Sequence, residues 1–600
     1  MITTINEAPV GSPEVSTQPE ENKSTIKFVN EMFSRFKRAR ERFDRSWQPN
    51  YEFMFGGKQW SIERPSWRFS EVVNLVWANC MTEVGIQTDT RPRVEFNPTE
   101  PSDFIFAKQL QKVNECNWSK YPWLQRTAEM VLLTKWVHVA HAIVEFDGDL
   151  EGGIGDVSYN ILDPFYCYWD PFAHDERSLR SFIYAGPVPT GKLKMDYPEF
   201  ADKIRSDIDS WNESFGDTVT PTSDRFRFSG SATSRTFRDI NRFGGEPMTF
   251  LVRVWTRDDT QEEFEETKDD GSKEFVKKLK YPKGRYIEMA NNTILFDGPN
   301  GVRIKDKFVP YEDDQFPIAR LVNYSYPLEY AGENEVTHLR GPQKVYNYMW
   351  SHSLDQMKNA GAPMIIIGAA SGVDPDNISN EPGQKVVAND VNQIKLEPGP
   401  GIASGMQFIM DQAKFGFDNV SGLHDVTKGA VDPSISSGLL FESYAEAAQV
   451  RMRLKNRNLD AFLQRVGQLM LSRYLQFYTA PRVFRITNEQ GFPEFVEFYI
   501  SKDESGQKTA NIGTSQGMLQ QPVKGTPDVQ IITGSALPFA KALKNKTVLE
   551  YVNAGLIDQE EALKTVDWPN YQAVVDRMAQ AAQQAQMEEQ KQVSAKGMNK

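Results

Sequence analysis

The order of patterns between residues 342 and 480 constrains this chain most: a helix, a Gly/Pro-broken β-like segment, a second helix, a Gly/Ser loop and one very long helix. The first helix is expected to open at Gly341-Pro342, since a proline in the first turn gives up an N–H that has no helical partner there. It reads PQKVYNYMWSHSLDQMKNA and is expected to end at Gly361-Ala362-Pro363. The second is expected to run from near Ser404 to near Gly422. Residues 362–403 between them carry only short apolar runs, Met364 to Ile367 and Val386-Val387 among them. The loop from Asp425 to Gly438 mixes Gly and Ser around Pro433, with Lys428 as its one strong cation. A helical pattern then extends from Glu442 to Thr479, which would reach about 57 Å if continuous.

The apolar spacing on each helix predicts what it packs. On the first, Tyr346, Met349, Trp350, Leu354 and Met357 make a stripe, while Lys344, Asn347, Ser351, Asp355 and Lys358 lie elsewhere. Met406, Ile409, Met410, Ala413, Phe417 and Val420 do the same on the second. Each would span about 28 Å, and alone the pair would be an ordinary helical hairpin. On the long helix, Tyr444, Ala448, Met452, Leu459, Phe462, Val466, Leu469, Tyr474 and Tyr478 drift off a strict heptad. That favours packing along its length over a coiled coil.

Six hundred residues exceed one ordinary core, so about two to four packed units are expected. Ten of the twelve Trp lie before residue 260, which places a dense aromatic core in the N-terminal half. No apolar stretch reaches the roughly 18 residues of a membrane span and no secretory leader pattern opens the chain, so a soluble protein made in the cytoplasm is expected. Cys80, Cys116 and Cys167 are too few and too scattered for a disulfide frame or a CxxC site, and read as reduced thiols. A formal charge of −13 argues against a broad grip on nucleic acid, since such affinity comes from cations set on phosphates. It leaves open a weakly adhering passage for DNA.

Along the rest of the chain, residues 1–24 read as a disordered polar arm, and a helix is expected over 25–46 with a basic outer face, RFKRARERFDR. The aromatic segment 47–60 follows, then helices near 69–88, 104–120 and 122–141, the first two separated by RPRVEFNPTEPSD. AIVEFDGDL and VSYNILDPFYCYWDPFAHD read as strand and strand–turn–strand. Residues 196–246 are polar and read as a long surface excursion, FLVRVWTRDD as a strand, and KGRYIEMANNTILFDG as a hairpin turning at Asn291-Asn292. RVFRIT, PEFVEFYI and DVQIIT are further strands, and the C-terminal part holds punctuated helices, one ending at Gly555 and one opening at Asp558 with Glu561 at capping-box spacing.

Motifs that carry chemistry are sparse. Gly186 to Lys192 matches GxxxxGK, but Leu193 stands where Ser or Thr should hold magnesium, and Pro187 and Pro189 delete cradle amides. A surface turn is expected there. His138 and His141, i and i+3 on an expected helix, have no third ligand at a telling spacing and read as packed or surface histidines. Asp147 and Asp149 lack the later ligands of a calcium loop and read as a solvated hairpin. With six His in the chain and no nucleophile elbow or HExxH, no enzyme, metal or cofactor is expected.

Three local patterns accompany the order of elements: DPxxxYxDP from Asp163 to Pro171, GPQxxYN from Gly341 to Asn347, and GLIDxEE from Gly555 to Glu561. Together, over roughly residues 45–580, the chain resembles the portal proteins of tailed bacteriophages. The resemblance implies an α+β subunit of a twelve-membered ring at one capsid vertex, with a wing at 25–340 and 440–535, stem helices at 341–361 and 404–423, a clip at 362–403, a tunnel loop at 424–439 and a crown at 536–600 ending in a Gln-rich tail. The wing helix is implied to be long and kinked. Tyr346, Trp350, Leu354, Met357, Met410 and Phe417 would belong to the stem. Ile365, Ile367, Val386 and Val387 would dock partners at the clip. Asp425, Thr427, Lys428, Gly429, Asp432, Ser434, Ser436 and Ser437 would form the tunnel loop. The implied partners are the terminase large subunit, major capsid and scaffold proteins, tail adaptors and double-stranded DNA in transit, with no membrane. The implied location is the virion. Another head–tail connector or tail protein is the alternative, and a packaging ATPase is disfavoured by the broken phosphate loop.

Overall fold

The computed structural model of the protein describes residues 19–558 apart from 207–246, 424–449, 533–547 and gaps of one to six residues elsewhere, with a few positions beyond. The chain is α+β. The first helix, α1 (Pro19–Met54), starts earlier and ends later than its apolar pattern predicts, so residues 19–24 are not part of a disordered arm. Pro19 followed by Glu20 and Glu21 suits a helix start. At the other end, burial of Trp47, Asn50, Phe53 and Met54 carries the helix past Pro49.

α1 lies on a five-stranded antiparallel sheet of order β10-β9-β6-β5-β4. These strands are Thr293–Pro299, Arg285–Ala290, Met248–Thr256, Ser181–Pro189 and Cys167–Trp169. Val29, Met32, Phe33 and Phe36 bury against Ile183, Phe250, Val254 and Ile287. The β9–β10 hairpin turns at Asn291 and Asn292, both at positive φ (48° and 57°), as a primed turn requires.

The main core surrounds a second sheet, β13-β2-β3 (Ile318–Leu321, Ala140–Asp147, Asp156–Leu162). α4 (Trp123–Thr134) and the long helix, α8 (Val450–Phe477), lie on this sheet, and α2 (Leu75–Asp89) and α3 (Phe104–Lys120) join the same core. Trp47, Trp123 and Trp255 are fully buried, as the tryptophan distribution predicts. Met452, Leu459, Phe462, Val466, Leu469, Tyr474 and Tyr478 are all buried, while Tyr444 and Ala448 lie outside the described residues. The described part of the long helix is continuous. Gly467 permits close approach of the long helix to a separate strand pair formed by residues 93–97 and 528–532: a Cβ there would meet Val94 Cγ1 at 2.5 Å and Val529 Cγ1 at 2.8 Å.

Several expectations are corrected. α4 stops at Thr134 instead of running to 141, because Ala140 to Val144 is buried on both sides as part of the strand β2. His138 and His141 therefore do not share a helix face. Within the linker RPRVEFNPTEPSD, RVEFN is itself a strand, β1 (Arg93–Asn97), completed antiparallel by β20 (Asp528–Ile532) from far along the chain. A local pattern cannot show such a pairing.

The GxxxxGK segment is not a surface turn. It is the end of the interior strand β5 and the start of the short helix α5 (Thr190–Asp196), with Thr190 buried and its N–H given to the Pro247 carbonyl. Part of the polar excursion is also packed: Tyr197 and Ile204 bury beside Leu193 and Leu295. Residues 207–246 lie outside the described residues.

The C-terminal sheet β16-β17-β18-β19 contains Arg482–Thr487, Pro493–Lys502, Lys508–Thr514 and Gly517–Pro522. Helix 548–553 ends with Gly555 at φ 69°, as expected, while Glu561 and almost all of 559–600 lie outside the described residues. Among the described residues no helix is long and apolar enough to cross a membrane, and no group of three His, Cys, Asp or Glu is placed to hold a metal ion.

Candidate functional site: the helical hairpin and its anchorage

The two helices expected to form a hairpin do so. α6 spans Glu335–Gly361 and α7 spans Ser404–Ser421, and they pack on each other, with Ser353 Oγ 3.0 Å from Met406 Sδ. α6 begins earlier than Gly341-Pro342. Asn334 caps it, its Oδ1 accepting from Thr337 N at 2.9 Å, and Pro342 lies inside the helix at the cost of one backbone bond. α7 ends at Gly422, whose φ of 74° and N–H to the Asp418 carbonyl make a left-handed cap.

The buried face of α6 is not its apolar stripe. Gln343, Asn347 and Ser351 are buried, one turn apart, and half-buried Asp355 continues the row. They hold the extended strap 59–74 that leads into α2. Gln343 Nε2 donates to the Val73 carbonyl (2.7 Å) and its Oε1 accepts from Val76 N (3.2 Å). Asn347 accepts from Val73 N (3.2 Å) and donates to Gln59 Oε1 (2.6 Å). Ser351 donates to the Glu71 carbonyl (3.3 Å). Asp355 accepts from Phe69 N (2.8 Å) and pairs with Arg64 (3.0 Å). The helical pattern from 69 therefore starts only at Leu75, because Phe69, Glu71 and Val73 give backbone groups to α6. The i, i+4 spacing of Gln343, Asn347, Ser351 and Asp355 was the available signal, and the GPQxxYN pattern contains its first two members.

A fully buried ionic cluster joins this hairpin to the body. Lys135 Nζ lies 2.7 Å from Glu83 Oε2, and Lys455 Nζ lies 2.7 Å from the same oxygen and 2.6 Å from Glu335 Oε2. All four side chains are at most 1% exposed. Asn323 bridges them, accepting from Lys135 (3.0 Å) and donating to Glu335 (2.9 Å). Burial pushes Lys455 down and Glu83 up, but the opposite charges outweigh it, so Lys455 is raised and Glu83 lowered. Glu335 opens α6 and Lys455 lies in the second turn of the described part of α8, so these two helices meet at one charge-balanced point. Charged residues scattered over four segments gave no local sign of it.

The other expected residues fall as follows. Tyr346, Trp350, Leu354 and Met410 are half-buried, Phe417 is buried, and Met357 is 56% exposed. Ile365 and Ile367 lie half-buried on β14 (Met364–Ile367), which pairs antiparallel with β15 (Ile394–Glu397). Val386 and Val387 are outside any strand and exposed, Val387 to 91%. Asp425, Thr427, Lys428, Gly429, Asp432, Ser434, Ser436 and Ser437 lie outside the described residues.

The DPxxxYxDP segment is structural. Asp163 and Asp170 each accept a backbone N–H two residues on (2.9 and 3.0 Å), and Tyr168 lies 3.8 Å under the buried Arg40 guanidinium. His138 accepts from Trp47 Nε1 (2.9 Å) and contacts Glu333. His141 is sealed among Trp169, Phe182 and Tyr330, and burial drives it down to about 3. Asp147 accepts from Asp149 N in the β2–β3 turn. These groups are occupied in packing and turns, and none converges on a reactive centre.

No curated protein matches the chain. The family described as phage P22-like portal protein matches residues 35–599, a span that takes in α6, β14–β15, α7 and α8. The chain belongs to the phage P22-like portal protein family.

Proposed function

We propose that this chain is the subunit of a twelve-membered portal ring at one vertex of a phage capsid, through which the terminase large subunit packages double-stranded DNA and through which DNA later leaves. The observation that carries the reading is the family match over 35–599, a span that contains the whole helix–β unit–helix–loop–helix order. In this reading α6 and α7 form the stem, residues 362–403 the clip, residues 424–439 the tunnel loop, and the body around α1 and α8 the wing. The crown would come from residues 536–600. The subunit would also nucleate procapsid assembly with scaffold and major capsid proteins and attach tail adaptors, without hydrolysing ATP itself.

The β14–β15 hairpin supports the clip assignment, since it sits at the far end of the α6–α7 pair and presents Ile366, Val387 and Val391 to solvent. The net charge of −13 suits a passage that repels DNA phosphates, with Lys428 as a single transient contact per subunit. Mass measurement and negative-stain imaging of the purified protein test the reading. Closed rings of about twelve copies are expected; a persistent monomer at micromolar concentration across a range of salt overturns it.

A further inference from the structure

We infer that the two outer faces of the α6–α7 unit are the matching halves of a contact between neighbouring copies of this chain. The inference rests on the ring proposed above and names the surfaces that close it. α6 carries a different layer on each side. Ser351 bonds the strap, whereas Ser353, two residues on and so about 160° around the helix, meets Met406 of α7. The unit is therefore layered as α7, then α6, then the strap with α2.

Each outer layer ends in apolar side chains. On α7, Met406 and Phe417 turn inward and are buried, but Phe408 and Phe415, two turns apart, are 66% and 60% exposed. On the opposite layer the strap exposes Ile62 and Trp67, and α2 exposes Trp77 and Met81. α2 shows no charge on that side. Between Leu75 and Thr88 its single charged residue is Glu83, which is buried against Lys135 and Lys455. Exposed Ala78 and Gly85 complete a face of Trp, Ala, Met and Gly, where a solvated helix carries charged or polar residues.

The partner that fits is a second copy of the chain. Two different apolar faces on opposite sides of one unit match a heterologous contact, one face seating on the other face of the next copy, which closes into a ring; a two-fold dimer would need one face complementary to itself. The aromatic anchors on each side, Phe408 and Phe415 against Trp67 and Trp77, are of the kind that dominates such interfaces.

Paired cysteines in the full-length chain test this. Phe415→Cys with Trp77→Cys, oxidised under mild conditions, is expected to give a ladder of covalent multimers on a non-reducing gel, absent from either single variant. Pairing Phe415→Cys with Met195→Cys, at another highly exposed site, is expected to give no ladder. Closed rings by mass with no ladder, or the same ladder from the Met195 pairing, overturn the inference and leave the ring reading standing. Absence of rings overturns both. A cross-link confined to single chains shows that another segment of the same chain covers the face, and also overturns the inference. Independently, Phe408→Lys with Phe415→Lys is expected to shift the protein to a monomer that still unfolds cooperatively; intact rings would overturn the pairing, and the cross-link decides if that variant does not fold.

Discussion

The long helix α8 and the hairpin helix α7 are both rich in large apolar residues, yet they end in opposite situations. From Leu459 to Tyr478 the large apolar side chains of α8 are almost all buried within the chain, and even Lys455 is sealed by two glutamates. α7 buries one face against α6 and leaves Phe408 and Phe415 in solvent. The difference teaches that an apolar stripe reports a helix's need for a neighbour without saying whether that neighbour belongs to the same chain. It also locates where the body is finished, at the Glu83–Lys135–Glu335–Lys455 cluster, and where the unfinished hairpin begins.

The largest effect that could break this comparison lies in the cluster. Lys455→Met leaves Glu335 short of its cation in a dry site, and is expected to cost about 3–5 kcal/mol in chemical denaturation of the full chain. A loss below about 1 kcal/mol would mean that the helices are not locked to one another there.

Next in size is the strap. Asn347→Ala strips partners from the Val73 N–H and Gln59, with an expected loss of about 1–3 kcal/mol. It should also give faster tryptic cleavage after Arg64 or Arg68. Unchanged cleavage would show that the strap holds without the polar row of α6.

Two buried titratable groups sharpen the contrast further, and their signs oppose. His141 is held neutral down to about 3, while the unfolded chain takes up a proton near 6.5. Stability therefore falls as pH drops below about 6.5, by on the order of 1 kcal/mol at pH 5.5. His141→Gln should flatten that acid limb. Burial raises Glu288, which accepts from Tyr197 and Tyr286, to about 8. The unfolded chain ionises there first, so stability falls as pH rises from the ordinary carboxylate range to about 8, and Glu288→Gln should flatten the alkaline limb. Urea melts between pH 5 and 8 check both, and parallel curves for wild type and variant would refute the assignment in question.

The smallest effect on stability is expected at the hairpin surface. Phe408→Ser alone should change the unfolding free energy of the dissociated subunit by less than about 0.5 kcal/mol, since exposed positions contribute little. A large loss would place Phe408 in an intrachain core and erase the contrast with α8.

Much of the architecture was legible because it depends on local periodicity and punctuation. The two hairpin helices, the left-handed caps at Gly422 and Gly555, the Asn291-Asn292 turn and the stripe of the long helix all follow from side-chain spacing and from φ preferences that neighbouring residues fix. The family resemblance was legible in the sequence as well, and the family match spans residues 35–599.

Tertiary structure alone decided the rest. RVEFN is a strand because β20 arrives beside it, and the helix expected near 122–141 gives way to β2 because its later residues are enclosed on both faces. Gln343, Asn347 and Ser351 look like a solvated face until the strap brings backbone amides and carbonyls within hydrogen-bond reach. The four ionic residues come from four segments, and charges are buried together only when folding supplies each with its counter-charge. Spacing along the chain reports what a segment can do alone, whereas burial depends on distant partners whose approach no local pattern encodes.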